Sequence, residues 1–192
     1  MEAEQAGEQM STLFTVGHGT RTQEELLAIL SREAITSVID VRRTPASRRH
    51  PHVARGELEH WLPASGVAYR WESALGGRRQ AMANSQHVGL RHRSFRGYAD
   101  YMGTAPFWDA LDTVLAETLH GRVAILCSEA LWWRCHRRLI ADAAVLGRSM
   151  DVRHLGVSAR QDDHQVTDAA RWDGAQVVYD VMTDGDLDRS SG

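Results

Sequence analysis

The stretch Ala124-Ile125-Leu126-Cys127-Ser128-Glu129 passes with almost no loop into Ala130 to Asp142, and this junction constrains the fold more than any other part of the chain. An apolar run ending in a thiol, a hydroxyl and a carboxylate reads as a strand. After it, Leu131, Cys135, Leu139, Ala143 and Leu146 fall at helical spacing, and Gly147 is a C-terminal stop signal. A strand feeding a helix is the repeating unit of parallel sheets, whose strand carboxyl ends and following helix starts line the ligand crevice. The expectation is one α/β domain with a mostly parallel, Rossmann-like sheet flanked by helices.

Other strands fit that plan. Ser11 to Val16 ends at Gly17-His18-Gly19, and Thr22 with Glu24 and Glu25 opens a helix through Leu26, Leu27, Ile29 and Leu30. Ile35 to Val41 is nearly all apolar until Asp40, as in a strand buried on both faces. Gly66 to Trp71 reads as strand three, Val123 to Cys127 as strand four and Val152 to Leu155 as strand five. Helices are expected at Glu57 to Leu62, Phe95 to Met102 and Pro106 to Leu119. Residues 72–93 show no periodicity, and the β-like run Gln176 to Val181 has no evident partner. Residues 1–10 read as a disordered segment, 11–156 as the α/β domain and 157–192 as an acidic extension.

No apolar stretch approaches the roughly 20 residues of a membrane span, and the start of the chain lacks the pattern of a signal peptide. A cytoplasmic protein without membrane contact is expected, its two cysteines reduced. All 22 basic residues are arginine, so lysine Schiff bases and Walker-type lysines are excluded. Charge is also segregated. Residues 39–96 carry eleven arginines against four carboxylates, whereas residues 150–192 carry four arginines against nine aspartates. The central segment suits an anionic partner.

Three strand ends bring reactive residues toward one sheet edge: His18, Asp40 with Arg42, and Cys127 with Glu129. His136 lies beside the core face of the following helix and has a pKa suited to acid–base work. Candidate catalytic residues are therefore His18, Asp40, Glu129, His136 and Cys127. Each has a structural alternative: His18 as a turn cap, Asp40 as a partner of Arg42 or Arg43, Glu129 as a charge at a helix start capped by Ser128, His136 as a half-buried helix residue. Cys135 lies on the packing face and reads as a buried structural thiol. Cys127, at a strand end near arginines, is the better nucleophile. A metal held by Cys127, Cys135 and His136 would need ligands on adjacent residues, so no metal or other cofactor is expected. Arg42, Arg43, Ser47, Arg48, Arg78 and Arg137 are candidate phosphate contacts, and Tyr69 and Tyr98 are available to stack a base. Arg138 can pair with Asp142 at i, i+4.

Taken in order, Thr15-Val16-Gly17-His18-Gly19, Ile39-Asp40-Val41-Arg42 with Pro45 and Ser47, Gly66-Val67 to Tyr69, and Leu75-Gly76-Gly77-Arg78 resemble the domain of unknown function 488 family. The likeness continues through Gly97 to Met102, Leu126-Cys127-Ser128-Glu129, Cys135-His136-Arg137 and His154-Leu155. It implies a compact α/β domain with a mostly parallel sheet and a shared pocket, and no settled activity. The family pattern has serine where this chain has Gly19.

The residues themselves point first to an enzyme acting on a nucleic acid or nucleotide. Its expected chemistry is nucleobase-directed, such as N-glycosidic base excision in DNA repair or modification, by carboxylate and histidine acid–base catalysis in an arginine-lined pocket. A non-catalytic sensor of a phosphorylated small molecule, or a partner-binding module, is the alternative. Thiol or metal chemistry at Cys127 is a third.

Overall fold

The computed structural model describes residues 11–156 and 162–180; the expected disorder of residues 1–10 concerns a segment outside them. The chain runs β1 (Thr12–Gly17), α1 (Gln23–Arg32), β2 (Ser37–Asp40), α2 (Arg55–Ala64), β3 (Ala68–Trp71), α3 (Arg93–Met102), α4 (Ala105–Glu117) and β4 (Val123–Cys127). It continues through α5 (Arg137–Arg148), β5 (Asp151–Leu155), β6 (Asp162–Asp163), β7 (Ala170–Trp172) and β8 (Val177–Tyr179). The main sheet has the order β3-β2-β4-β1-β5-β6, and every pairing in it is parallel except β5 with β6. This is the expected α/β architecture: one domain whose mostly parallel sheet is flanked by helices. No helix among the described residues is long and apolar enough to cross a membrane.

Alternation along the strands divides the core between the two faces of the sheet. Leu13, Ile39, Val123 and Ile125 pack with Phe107, Leu111, Leu139 and Ile140 from α4 and α5. Phe14, Val38, Ala124 and Leu126 pack on the other side with Leu26, Leu30, Leu58 and Leu62 from α1 and α2. All five residues of β4 are buried. Because β4 lies between β2 and β1, the carboxyl ends holding Asp40, Cys127 and Gly17 are neighbours.

The helix boundaries carry the main departures. Thr22 caps α1 as expected, and Glu25 completes a capping box. The helix expected from Leu131 is interrupted: a 3₁₀ turn spans Trp132–Arg134, Cys135 is extended with φ −125° and ψ 152°, and α5 begins only at Arg137. Ser128 is therefore not its cap. Gly147 lies inside α5, where a side chain would press on Trp108, and Ser149 ends the helix in the left-handed region at φ 53°.

Part of the acidic extension belongs to the core. β8 pairs antiparallel with β7, which gives Val177–Tyr179, within the expected β-like run, its partner. Asp142, fully buried on α5, accepts hydrogen bonds from His164 Nε2 at 2.9 Å, Thr167 N at 2.9 Å, Thr167 Oγ1 at 2.8 Å and Tyr179 Oη at 2.9 Å. These partners replace the expected Arg138. A chain of bonds continues from His164 Nδ1 to His154 Nε2 at 3.0 Å and from His154 Nδ1 to Thr15 Oγ1 at 2.7 Å. Trp132 stacks on His154 with ring centres 4.1 Å apart.

Candidate functional site

The break between the 3₁₀ turn and α5 builds the site. Extended backbone at Cys135 followed by helical backbone at His136 lets two adjacent side chains converge on the end of β4. His136 Nε2 donates to the Val41 carbonyl at 3.0 Å. That bond leaves Nδ1 as the lone-pair nitrogen, 3.7 Å from Cys127 Sγ and 3.7 Å from Cys135 Sγ. The two thiols are free and buried, and the three potential ligand atoms lie within 4.8 Å of one another.

Neighbours fix this cluster. The Tyr98 ring meets His136 edge-on at 5.1 Å, and its hydroxyl donates to Leu75 O at 2.7 Å. A Cβ at position 77 would stand 2.9 Å from His136 Nδ1, so glycine permits the close approach of that loop to the imidazole. Hydrogen bonding to Cys135, then burial, raises the Cys127 thiol well above its ordinary range. Burial also acts to raise Cys135, but the Cys127 hydrogen bond and the nearby His136 and Arg137 hold it well below that range.

A cavity of about 510 Å³ opens above the cluster, with Arg43, Arg78, Arg134, Glu129 and Phe95 in its wall. The side chains of Arg43, Arg78 and Arg134 are exposed and make no hydrogen bond or ion pair among the described residues. A larger hollow of about 830 Å³ shares Ser94, Phe95 and Arg134 with it and adds Trp132, Trp133 and Arg138.

The expected site residues thus divide. Cys127, Glu129, His136, Arg42, Arg43, Arg78 and Tyr98 border the cavity; His18, Asp40, Ser47, Arg48, Tyr69 and Arg137 do not. Asp40 is fully buried, held by Arg42 Nε at 2.9 Å and Nη2 at 2.5 Å and by Tyr69 Oη at 2.9 Å. Arg42 also donates to Val53 O at 2.8 Å, so its guanidinium is committed to the fold rather than to a phosphate. Tyr69 is likewise committed through its hydroxyl. His18 donates Nδ1–H to Gly19 O at 2.9 Å, and burial followed by the Arg42 charge lowers its pKa to about 4.

Arg137 is completely buried instead of facing a ligand. It donates to Thr15 Oγ1 at 3.2 Å and to the Glu129 carbonyl, pinning the loop after β4 against β1. Gly17 is required there, because a Cβ would overlap the same carbonyl. Ser47 Oγ accepts from His50 N at 3.0 Å within a turn, and Arg48 is exposed away from the cavity. Tyr98 is 1% exposed, so it supports His136 and offers no face for a base.

Cys135 belongs to the cluster as well as to the packing face, which its helical spacing with Leu131 and Leu139 concealed. Arg134 and Phe95 also border the cavity without having stood out; the adjacency Arg134-Cys135-His136 was the available signal.

A family model described as Domain of unknown function DUF488 matches residues 22–144. No curated protein and no solved structure matches the chain.

Proposed function

The chain belongs to the DUF488 family, and we propose that it is an enzyme acting on a phosphate-bearing substrate, a nucleotide or a nucleic-acid strand, at the cavity over Cys127, Cys135 and His136. One observation carries this reading: three exposed guanidiniums with no partner among the described residues, Arg43, Arg78 and Arg134, surround a floor of two thiols and an imidazole. Uncommitted arginines offer planar, bidentate donors that suit phosphate. The adjoining hollow supplies Phe95 and the exposed Trp133, faces on which bases stack in sequence-tolerant binding.

The chemistry belongs to the floor. Asp40 and His18, two of the acid–base candidates, are absorbed by Arg42 and Gly19, so a base-excision step built on them has no support in this geometry, whereas the candidates Glu129 and His136 border the cavity. Glu129 is the carboxylate on the cavity wall and takes the acid–base role. DNA repair remains one setting for a nucleobase-directed reaction of this kind.

Fluorescence anisotropy with a labelled single-stranded oligonucleotide tests the reading. Affinity should fall as salt rises, and Arg43→Ala, Arg78→Ala and Arg134→Ala should each weaken binding and reduce the salt slope by about one. Binding that ignores salt, or is equal in the triple variant, contradicts it. Binding without turnover of any nucleotide or strand favours the sensor reading.

A further inference from the structure

We propose that Cys127 Sγ, Cys135 Sγ and His136 Nδ1 hold one zinc ion whose fourth coordination position opens into the 510 Å³ cavity. The first argument is metric. Tetrahedral zinc with Zn–S of about 2.3 Å and Zn–N of about 2.0–2.1 Å sets its sulfur and nitrogen ligands about 3.6 Å apart. His136 Nδ1 is 3.7 Å from each of the two sulfurs.

The second argument is the tautomer. A histidine that ligates zinc through one nitrogen almost always donates the other N–H to a carboxylate or a backbone carbonyl, which orients the ring and raises its basicity. His136 Nε2 makes that bond to Val41 O at 3.0 Å, so the remaining lone pair is aimed at the sulfurs before any metal arrives.

The third is chemical. Two thiolates and an imidazole form a soft set that selects zinc over magnesium or calcium, and two thiolates balance its charge. Three protein ligands with an open position make the pattern of catalytic rather than structural zinc. Ligands on adjacent residues are made possible by the change from extended to helical backbone between Cys135 and His136. Gly77 keeps a side chain from pressing on Nδ1.

The inference stands apart from the phosphate reading, because neither the ligand geometry nor the test involves a substrate. Joined to that reading it narrows the reaction to hydrolysis. Zinc held by Cys127, Cys135 and His136 would supply there a water of lowered pKa, and Glu129 on the cavity wall would be the group to accept its proton.

The test uses the full chain without a histidine tag. The protein as purified should contain about one zinc per chain by elemental analysis. Cobalt replacement should give the thiolate-to-cobalt charge-transfer band and the strong visible bands of a tetrahedral site. Cys127→Ser, Cys135→Ser and His136→Ala should each abolish or shift these bands, while His50→Gln should leave them unchanged. Circular dichroism separates lost ligation from lost fold. Thiol counting needs no variant: both cysteines of the wild type should be protected by cobalt and released by a chelator. A folded wild type without these bands, bands that survive both serine variants, or thiols that react equally with and without cobalt overturns the proposal. Loss of oligonucleotide binding with cobalt spectra intact would instead count against the phosphate reading alone.

Discussion

The Val41 carbonyl fixes the orientation of His136: with Nε2–H held at 3.0 Å, Nδ1 faces the two cysteine sulfurs, 3.7 Å from each. Gly77 guards the same nitrogen from the other side. Gly77→Ala should therefore displace the imidazole and also destabilise the fold, since the new methyl meets Nδ1 and Cγ of a ring held by the Val41 carbonyl and packed by Tyr98. Cobalt affinity in the folded protein should drop about tenfold or more. Unchanged cobalt binding would show that the loop does not control the ring.

Asp40 and Arg42 form a buried pair, and removing one partner leaves an uncompensated charge. Asp40→Asn should cost about 3–5 kcal/mol in urea denaturation, and replacing both by apolar residues should cost less. Oligonucleotide affinity should persist in any fraction that remains folded. A stable Asp40→Asn protein without activity would restore Asp40 to the catalytic role expected from the sequence.

Much of the architecture was legible because strand burial writes itself into sequence. Val123 to Cys127 is a continuous apolar run ending in a thiol, Val38 and Ile39 run into Asp40, and both segments form internal strands of the sheet. The site was less legible, because spacing cannot show a backbone break. Leu131, Cys135 and Leu139 have helical periodicity, yet Cys135 is extended, and this one departure turns it toward Cys127. Arginine counts mislead for a related reason. Arg42 and Arg137 stand in the richest motifs but are consumed by Asp40, Thr15 and the Glu129 carbonyl, while the less conspicuous Arg134 reaches the cavity.

Buried histidines make stability depend on pH: His18 and His154 shift furthest, and burial lowers His87 in the same direction. His18 is lowered to about 4 by burial and Arg42, and His154 to about 2 by burial and His164. Both remain neutral in the fold while their unfolded counterparts take up a proton below about pH 6.5. The unfolded state then binds more protons, so stability is full above 6.5 and falls as pH drops toward 4. The slope approaches about 1.4 kcal/mol per pH unit for each histidine. Denaturation curves at pH 7.5, 6 and 5 check this; equal stability at all three would contradict it.

The four hydrogen bonds to Asp142 fasten residues 164–179 to α5. Asp142→Ala should leave His164, Thr167 and Tyr179 without their buried acceptor and destabilise the chain by about 3 kcal/mol or more. Limited proteolysis should then cut within residues 162–180 much faster than in the wild type. An unchanged digestion pattern would mean that β7 and β8 are held by apolar packing alone.

Arg43, Arg78 and Arg134 are proposed to serve the same ligand as the cysteine–histidine floor. Crystals grown with a nucleoside 5′-monophosphate test this directly. The phosphate should lie within hydrogen-bonding distance of at least two of these arginines, with the nucleoside in the cavity bordered by His136 and Phe95. Phosphate bound instead at Arg48 or Arg49, or an empty cavity at saturating ligand, would contradict it.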